Sequence, residues 1–284
     1  MATPIIDVLV STFNRPTALA VTLASLSAQA TKDFSLIISD QGDALDAASA
    51  PEVRAVQRVL RSHGVLVRAH KHLPRRGMAE QRQFLLDAAT APYVLFLDDD
   101  VLLEPDVLDR LLRAMRQERC GFVGCAVIGL SFLDEVRPRQ QHIEFWDGPV
   151  WPERVQPDSP AWERHHLHSA ANLYHVQQRL QLTPESQRTY RVAWIGGCVL
   201  YDVTALRESG GFAFWRDLPP EHCGEDVLAQ LRVMARYGGC GIIPSGAFHQ
   251  EVPTTLPDRR ANAPRVLAGP SPADGASASH SGAY

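Results

Sequence analysis

Three consecutive aspartates, Asp98, Asp99 and Asp100, end an apolar run that begins at Tyr93. The run is short and contains aromatic and β-branched residues, which predicts a fully buried strand. Adjacent carboxylates repel one another unless a positive group neutralises them. A divalent cation with oxygen ligands does this, especially together with a phosphorylated ligand. The alternative is a set of acids that favours the N-terminus of the next helix, although a helix dipole does not require three in a row.

Polar residues also follow two other predicted strands. The segment from Ser11 to Asn14 comes after a buried strand at 5–10, and Asp40 comes after a strand at 34–39. In open α/β proteins, ligands bind beyond the carboxyl ends of the strands. We therefore expect these two groups and the aspartates to face one crevice.

Strands and helices alternate through the first half of the chain. Further strands are expected at 65–68 and 122–128, and the helices are expected to begin near Pro16, Pro51, Gly77 and Pro105. This order predicts an α/β protein with a Rossmann-like, mainly parallel central sheet and helices on both faces.

The pattern loosens between residues 131 and 191, where three tryptophans and the cluster His165-His166-x-His168 occur. This segment is either a substrate-binding excursion or a structural insertion with its own small core. The spacing of the histidines is poor for zinc. Regular patterning returns at Val192, and the pair Glu225-Asp226 opens a helix that Gly238-Gly239 ends.

Composition excludes some classes of protein. The 28 basic and 32 acidic residues argue against a broad nucleic-acid-binding surface. The five cysteines show no CxxC pair, and four of them are expected in the core of a protein from a reducing compartment, whereas the role of Cys223, beside His222 and an acidic pair, stays open. With no leader peptide and no run of membrane-spanning length, we expect a cytoplasmic protein, with peripheral membrane contact open. The tail at 265–284 is expected to be disordered.

Taken together, VSTFNRP, Asp40, the LDDD strand end, a GG segment and GED before a helix resemble family 2 glycosyltransferases. The likeness runs from Ile5 to about His249. It implies a GT-A fold in a single domain at 1–264, with a nucleotide-sugar half (1–130) and an acceptor half (131–264). It also implies a Mn²⁺- or Mg²⁺-dependent, inverting transfer of the kind used in polysaccharide biosynthesis. The donor would be a UDP-, GDP- or dTDP-linked sugar, and the acceptor a glycan, a lipid-linked or another hydroxyl.

The resemblance also assigns roles to individual residues. The donor-binding set is Thr12, Asn14, Asp40, Arg82, Asp98 and Asp99. Asp100 and His249 would bind the metal, and Trp194, Gly196 and Gly197 would lie on the acceptor side. Asp226 would be the catalytic base, with Glu225 second to it or orienting the acceptor.

Each assignment has a structural alternative. Asp40 would suit a turn before Gln41-Gly42, and Arg82 would suit the solvated face of a helix. Glu225 and Asp226 would suit the capping of a helix N-terminus. His249 suits a polar loop, and the two glycines a tight turn beside a core tryptophan.

Three other classes of protein compete with a glycosyltransferase. A DxD-type phosphotransferase or phosphatase normally has Thr or Val where this chain has Leu102. A sugar nucleotidyltransferase would need a Gly-rich phosphate loop after the first strand, which STFNRP is not. A non-catalytic relative that binds sugar nucleotides is disfavoured by the intact acids Asp98, Asp100 and Asp226.

Overall fold

A computed structural model describes residues 4–44, 46–256 and 259–267. Its strands are β1 (Ile6–Thr12), β2 (Phe34–Asp40), β3 (Leu66–Lys71), β4 (Tyr93–Asp98), β5 (Val101–Leu103), β6 (Phe122–Gly124), β7 (Arg188–Tyr190), β8 (Cys198–Asp202), β9 (Gly239–Ile243) and β10 (Ala247–His249). Its α-helices are α1 (Pro16–Ser27), α2 (Pro51–Ser62), α3 (Met78–Ala88), α4 (Val107–Glu118), α5 (Asn172–Arg179), α6 (Val203–Glu208), α7 (Glu225–Tyr237) and α8 (Ala263–Leu267). None of the helices in these ranges is long and apolar enough to cross a membrane.

The central sheet has eight strands in the order β3-β2-β1-β4-β8-β6-β9-β7, and β5 and β10 form a separate antiparallel pair. β1 to β4 are mutually parallel, β6 and β9 share their direction, and β8 and β7 run the opposite way. The prediction of a mainly parallel sheet is therefore confirmed. In the register of β1, Thr12 pairs with Asp40 and Ser11 with Asp98, so the polar strand ends lie at one edge.

Helices cover both faces of the sheet, as predicted. Val8 and Val10 of β1 pack into a core shared with α1, α2 and α4, whereas Leu9 packs into a core shared with α3, α6 and α7. Successive side chains of a strand point to opposite faces, which explains this division. Cys120, Cys125, Cys198 and Cys240 are buried and unpaired within the described chain, as the sequence indicates for core cysteines.

One predicted strand is shorter than its apolar pattern. The strand expected at 122–128 ends at Gly124, and its next residue, Cys125, donates only a single N–H to the Cys198 carbonyl (3.0 Å). The partner strand β8 begins at Cys198 because Gly197 adopts φ +78° and leaves the extended conformation. Without a partner at that position, the ladder cannot continue.

The 131–191 segment forms several short 3-10 turns together with α5 and β7. Its buried apolar residues Leu167, Leu173 and Val176 join the core on the α3 and α7 face of the sheet. Among the described residues the segment shares this core, so the alternative of an insertion with its own small core does not hold. At the other end of the chain, α8 covers the start of the tail predicted as disordered, and residues 268–284 lie outside the described part.

Candidate active site

A cavity of about 640 Å³ opens at the carboxyl ends of the parallel strands. Five acids from two places in the sequence line it. They are Asp98, Asp99 and Asp100 from the end of β4, and Glu225 and Asp226 from the start of α7. The topology thus brings together the two acidic motifs that the sequence separates by more than a hundred residues.

The three aspartates have different environments. The Asp98 side chain is 38% exposed and faces the cavity, whereas the Asp99 side chain is only 2% exposed. Asp99 accepts a hydrogen bond from the Thr12 hydroxyl at 2.6 Å. Burial raises the pKa of Asp99 to about 7, against the opposing effect of Arg15 and Thr12. The assignment of Asp99 to donor binding stays a prediction.

Arg15 supplies a positive charge that the sequence reasoning missed. Its Nη2 lies 2.7 Å from Asp99 Oδ1, and its Nη1 lies 2.9 Å from Asp100 Oδ2. One guanidinium therefore neutralises part of the repulsion within the triplet, as its fork geometry allows. The basic residue of the NRP segment after β1 was the available signal.

Asp100 and His249 lie together because Val101 pairs with His249 across β5 and β10. His249 Nε2 is 3.6 Å from Asp100 Oδ2, and both residues line the cavity beside Asp98. Carboxylate oxygens and an imidazole form a donor set that suits Mn²⁺, and Mg²⁺ less well. Within the described ranges, no three His, Cys, Asp or Glu side chains are already arranged to hold a metal ion. The chemistry of the donors fits a cation, and ligand or water oxygens would have to complete its shell.

Arg82 joins the two acidic motifs. Its Nη2 lies 3.1 Å from Asp98 Oδ1 and its Nε 3.0 Å from Glu225 Oε1, with the side chain 7% exposed. Burial alone would lower the pKa of Arg82, but Asp98 and Glu225 outweigh it and raise the pKa. A solvated helix arginine, the alternative at the sequence level, does not match this position.

Asp226 lies beside Glu225 at the start of α7 and has a raised pKa. Burial raises the pKa of Asp226 to about 7, and the charge of the neighbouring Glu225 adds to the shift. Glu225 is held by Arg82, whereas Asp226 lines the cavity and is partly exposed. A carboxylate that exchanges a proton near pH 7 is suited to general base chemistry.

The predicted acceptor-side residues form one wall of the cavity. Trp194 and Gly196 line it, and the Trp194 ring stacks on His165 with centroids 4.8 Å apart. Gly197 stands behind them, where an added Cβ would lie 2.7 Å from Val127 Cγ2. Gln230 of α7 fixes the backbone at Ile195, because its side-chain oxygen accepts a hydrogen bond from the Ile195 N–H and its side-chain N–H donates one to the Ile195 carbonyl.

Two residues of the predicted donor-binding set, Asn14 and Asp40, do not line this cavity. Asn14 Nδ2 donates to Asp43 Oδ1 at 2.7 Å. Asp40 is 0% exposed, and its carboxylate accepts from the Gly42 N–H at 2.7 Å and lies 3.4 Å from Lys71 Nζ. The turn contact that was the alternative to donor binding is therefore present, and the role of Asp40 in donor binding stays a prediction.

The stretch after His249 was not singled out from the sequence, yet it forms much of the cavity rim. Val252, Thr254, Thr255, Leu256, Arg259 and Asn262 line the cavity. The stretch is tied to the loop before α7, because the Cys223 N–H donates to the Ala261 carbonyl (2.9 Å) and the Ala263 N–H to the Cys223 carbonyl (2.8 Å). Its polar composition without periodicity offered no helix or strand signal.

His222 anchors the same loop to α3. Its Nε2 accepts a hydrogen bond from the Ala79 N–H at 3.0 Å, and its Nδ1–H donates to the Pro219 carbonyl at 2.7 Å. His222 therefore lies at the start of the helix that carries Arg82.

The histidines of the 165–168 cluster have separate contacts. His165 forms a hydrogen bond with the Trp162 carbonyl, and His166 forms one with the Glu163 carboxylate. His168 forms a hydrogen bond with the Tyr190 hydroxyl.

Comparisons with known proteins give the family and the fold of the chain. The sequence profile described as Glycosyl transferase family 2 matches residues 7–178. The fold resembles the crystal structure of S. aureus TarS at 15% identity and a TM-score of 0.51, covering 86% of this chain and 36% of that one. It also resembles S. aureus TarS 1-349 in complex with UDP-GlcNAc at 14% identity and a TM-score of 0.53, covering 88% and 60%. No curated protein matches the sequence.

The present chain thus spans less than two thirds of the length of either matched structure. The likeness to these structures confirms the GT-A fold that the sequence motifs imply. Because the profile match covers more than half of the sequence, including β1, the Asp98 strand end and the segment up to α5, the chain belongs to glycosyl transferase family 2.

Proposed function

We propose that the protein transfers a sugar from a nucleoside-diphosphate sugar to a hydroxyl acceptor, by a metal-dependent single displacement that inverts the anomeric centre. The observation that carries this proposal is the cavity in which Arg82 links the strand-end acid Asp98 to the acidic pair Glu225-Asp226. One side of such a cavity can hold a charged donor while the other activates an acceptor. In this proposal residues 1–130 serve the donor and residues 131–264 the acceptor, within one domain.

The donor side rests on charge. Asp98 is the exposed acid of the triplet and the one available to a ribose or to a shared cation, and Asp100 with His249 would hold Mn²⁺ or Mg²⁺. When bound, the cation would stabilise the negative charge that accumulates on the departing nucleoside diphosphate. Arg15 holds Asp99 and Asp100 in place by its two ion pairs.

The acceptor side rests on proton transfer. Asp226 accepts the proton of the acceptor hydroxyl while the oxygen of that hydroxyl attacks the anomeric carbon of the sugar. The bond from the anomeric carbon to the diphosphate oxygen then breaks, and the nucleoside diphosphate leaves. The pKa of Asp226, which burial raises to about 7, places the base near its operating pH. Glu225, fixed by Arg82, keeps the pair in orientation. Trp194 and Gly196 would shape the acceptor position, and the buried free cysteines suit a reducing compartment such as the cytoplasm.

Calorimetric titration with UDP-, GDP- and dTDP-sugars, with and without Mn²⁺, tests the proposal. We expect one nucleotide class to bind, binding to strengthen with Mn²⁺, and Asp100→Ala to abolish that gain. Asp109→Ala, an acid of α4 outside the cavity lining, serves as the matched control. If no nucleotide sugar binds, glycosyl transfer is the wrong function. Binding without turnover in the presence of hydroxyl acceptors would identify a non-catalytic relative.

A further inference from the structure

Two adjoining cavities lie beside β7, the edge strand of the sheet. Their volumes are about 520 Å³ and about 570 Å³, and Trp146, Gly148 and Pro149 line both. The first extends between α4 and β7, and the second reaches Trp151. They share no lining residue with the cavity that holds the acids, so together they form a distinct groove.

Two buried polar atoms of residues at this groove have no hydrogen-bond partner within the described part of the chain. They are the indole Nε1 of Trp146 and the side-chain oxygen Oε1 of Gln187. Buried donors and acceptors are nearly always paired, and an exception calls for an explanation, of which a bound water or ion is one. Both atoms belong to residues that line the first cavity and lie just beneath its surface, where a ligand hydroxyl would bond to them after a small shift of the side chains.

Arginine guanidinium groups lie over two aromatic rings of the groove. The Arg191 guanidinium lies 3.8 Å from the centroid of the Trp146 ring, and that of Arg188 lies 3.5 Å from the Phe145 centroid. The side chain of Trp151 is 59% exposed, and its backbone packs against Gly238 at the end of α7. An exposed indole on a fixed backbone offers a large flat contact surface at low conformational cost.

The charges of the groove are balanced. Arg113 and Arg188 face Glu118 and Glu185 in the first cavity, and Arg191 is accompanied by Glu144 and Asp147 in the second. A polyanionic ligand would require an excess of positive charge, which this lining does not provide. A hydroxyl group can donate a hydrogen bond to a carboxylate and accept one from a guanidinium group. The apolar C–H face of a sugar ring can stack on an indole.

We propose that this groove binds an uncharged oligosaccharide, the part of a glycan acceptor that lies away from the reacting end. The proposal rests on the proposed glycosyl transfer. The same 131–191 segment also reaches the active cavity, where Trp162 and His165 contact the Trp194 ring at 4.4 Å and 4.8 Å between centroids. A glycan chain held by this segment would have its growing end presented to the site at a raised effective concentration.

Calorimetric titration of the full chain with maltohexaose, cellohexaose, chitohexaose, mannohexaose and a heparin hexasaccharide tests the proposal. We expect at least one of the neutral sugars to bind and heparin not to bind. Trp151→Ala should weaken that binding by about tenfold, because the stacking surface is lost. Trp146→Phe, which keeps a ring but removes the unpaired N–H, should weaken it in the same direction. Phe132→Ala, an exposed aromatic outside the groove, should leave it unchanged.

Nucleotide-sugar binding is measured on the same samples and should be equal in all variants. The groove proposal is overturned if no neutral oligosaccharide binds, if Trp151→Ala and Trp146→Phe both bind as tightly as the parent, or if heparin is preferred. Oligosaccharide binding that fails while nucleotide-sugar binding persists refutes only the groove. Failure of nucleotide-sugar binding refutes the proposed function instead.

Discussion

Arg82 is expected to contribute more to stability through Glu225 than through Asp98. Both acids lie at ion-pair distance from its guanidinium, at 3.0 Å and 3.1 Å. The Glu225 side chain is only 7% exposed, however, whereas that of Asp98 is open to the cavity. Water can hydrate an unpaired carboxylate at the surface but not one in the interior. The loss of Arg82 therefore leaves Glu225 as the main unpaired buried charge.

The magnitude follows from burial. Removing one partner of a buried ion pair typically costs about 3–5 kcal/mol, and we expect Arg82→Met to lower the free energy of unfolding by about 3 kcal/mol at neutral pH. In a Glu225→Gln background the same change should cost about 1 kcal/mol, because no buried charge is stranded. The resulting coupling energy of about 2 kcal/mol with Glu225 should exceed the coupling with Asp98, measured against Asp98→Asn.

Urea-induced unfolding followed by tryptophan fluorescence, applied to both double-mutant cycles, provides the measurement. Arg137→Met is the control, since Arg137 pairs with Glu135 at the exposed surface and should change the free energy of unfolding by less than about 0.5 kcal/mol. Equal couplings to Glu225 and Asp98, or a Glu225 coupling near zero, would refute the reasoning from burial.

Three further outcomes are expected. Gly197→Ala should lower the free energy of unfolding by about 1–3 kcal/mol because of its φ of +78° and the crowded Cβ position, whereas Gly196→Ala, with open space at its Cβ, should be tolerated in the same thermal-shift assay. Burial lowers the pKa of His222, so its contribution to stability is complete above about pH 6.5 and is lost as the pH falls toward the lowered value; unfolding titrations of His222→Ala should show a weaker loss between pH 7 and pH 5, and an unchanged pH slope would contradict this. The pKa of Asp226, raised to about 7, predicts that kcat/KM rises from pH 6 to pH 8 and then levels off, and a flat profile over that range would argue against this base.

The sequence predicted the ends of β2 and β4 well, because each is a short apolar run that stops at an acidic residue. Asp98 therefore fell where expected, and the register of β1 explains why Ser11 and Asp98 meet. Helix starts at Pro16 and Pro51 were equally readable, since proline is favoured in the first turn.

Long-range pairings were not readable. Nothing local indicates that β8 would lie antiparallel between β4 and β6, or that Gly197 would end the ladder of β6. The ion pairs of Arg15 and Arg82 also join residues far apart in sequence, at 2.7 Å and 3.0 Å from Asp99 and Glu225. No local sequence pattern distinguishes a solvated arginine from one that is buried between carboxylates.

The most direct test of the central claim is donor turnover by Asp226→Asn, with nucleotide-sugar binding measured on the same protein. Asparagine keeps the size of the side chain but cannot accept a proton, so we expect binding within about threefold of the parent and transfer reduced by about 10²–10⁴-fold. Transfer at the parent rate, with binding intact, would contradict the assignment of Asp226 as the base and, with it, the proposed division of the cavity.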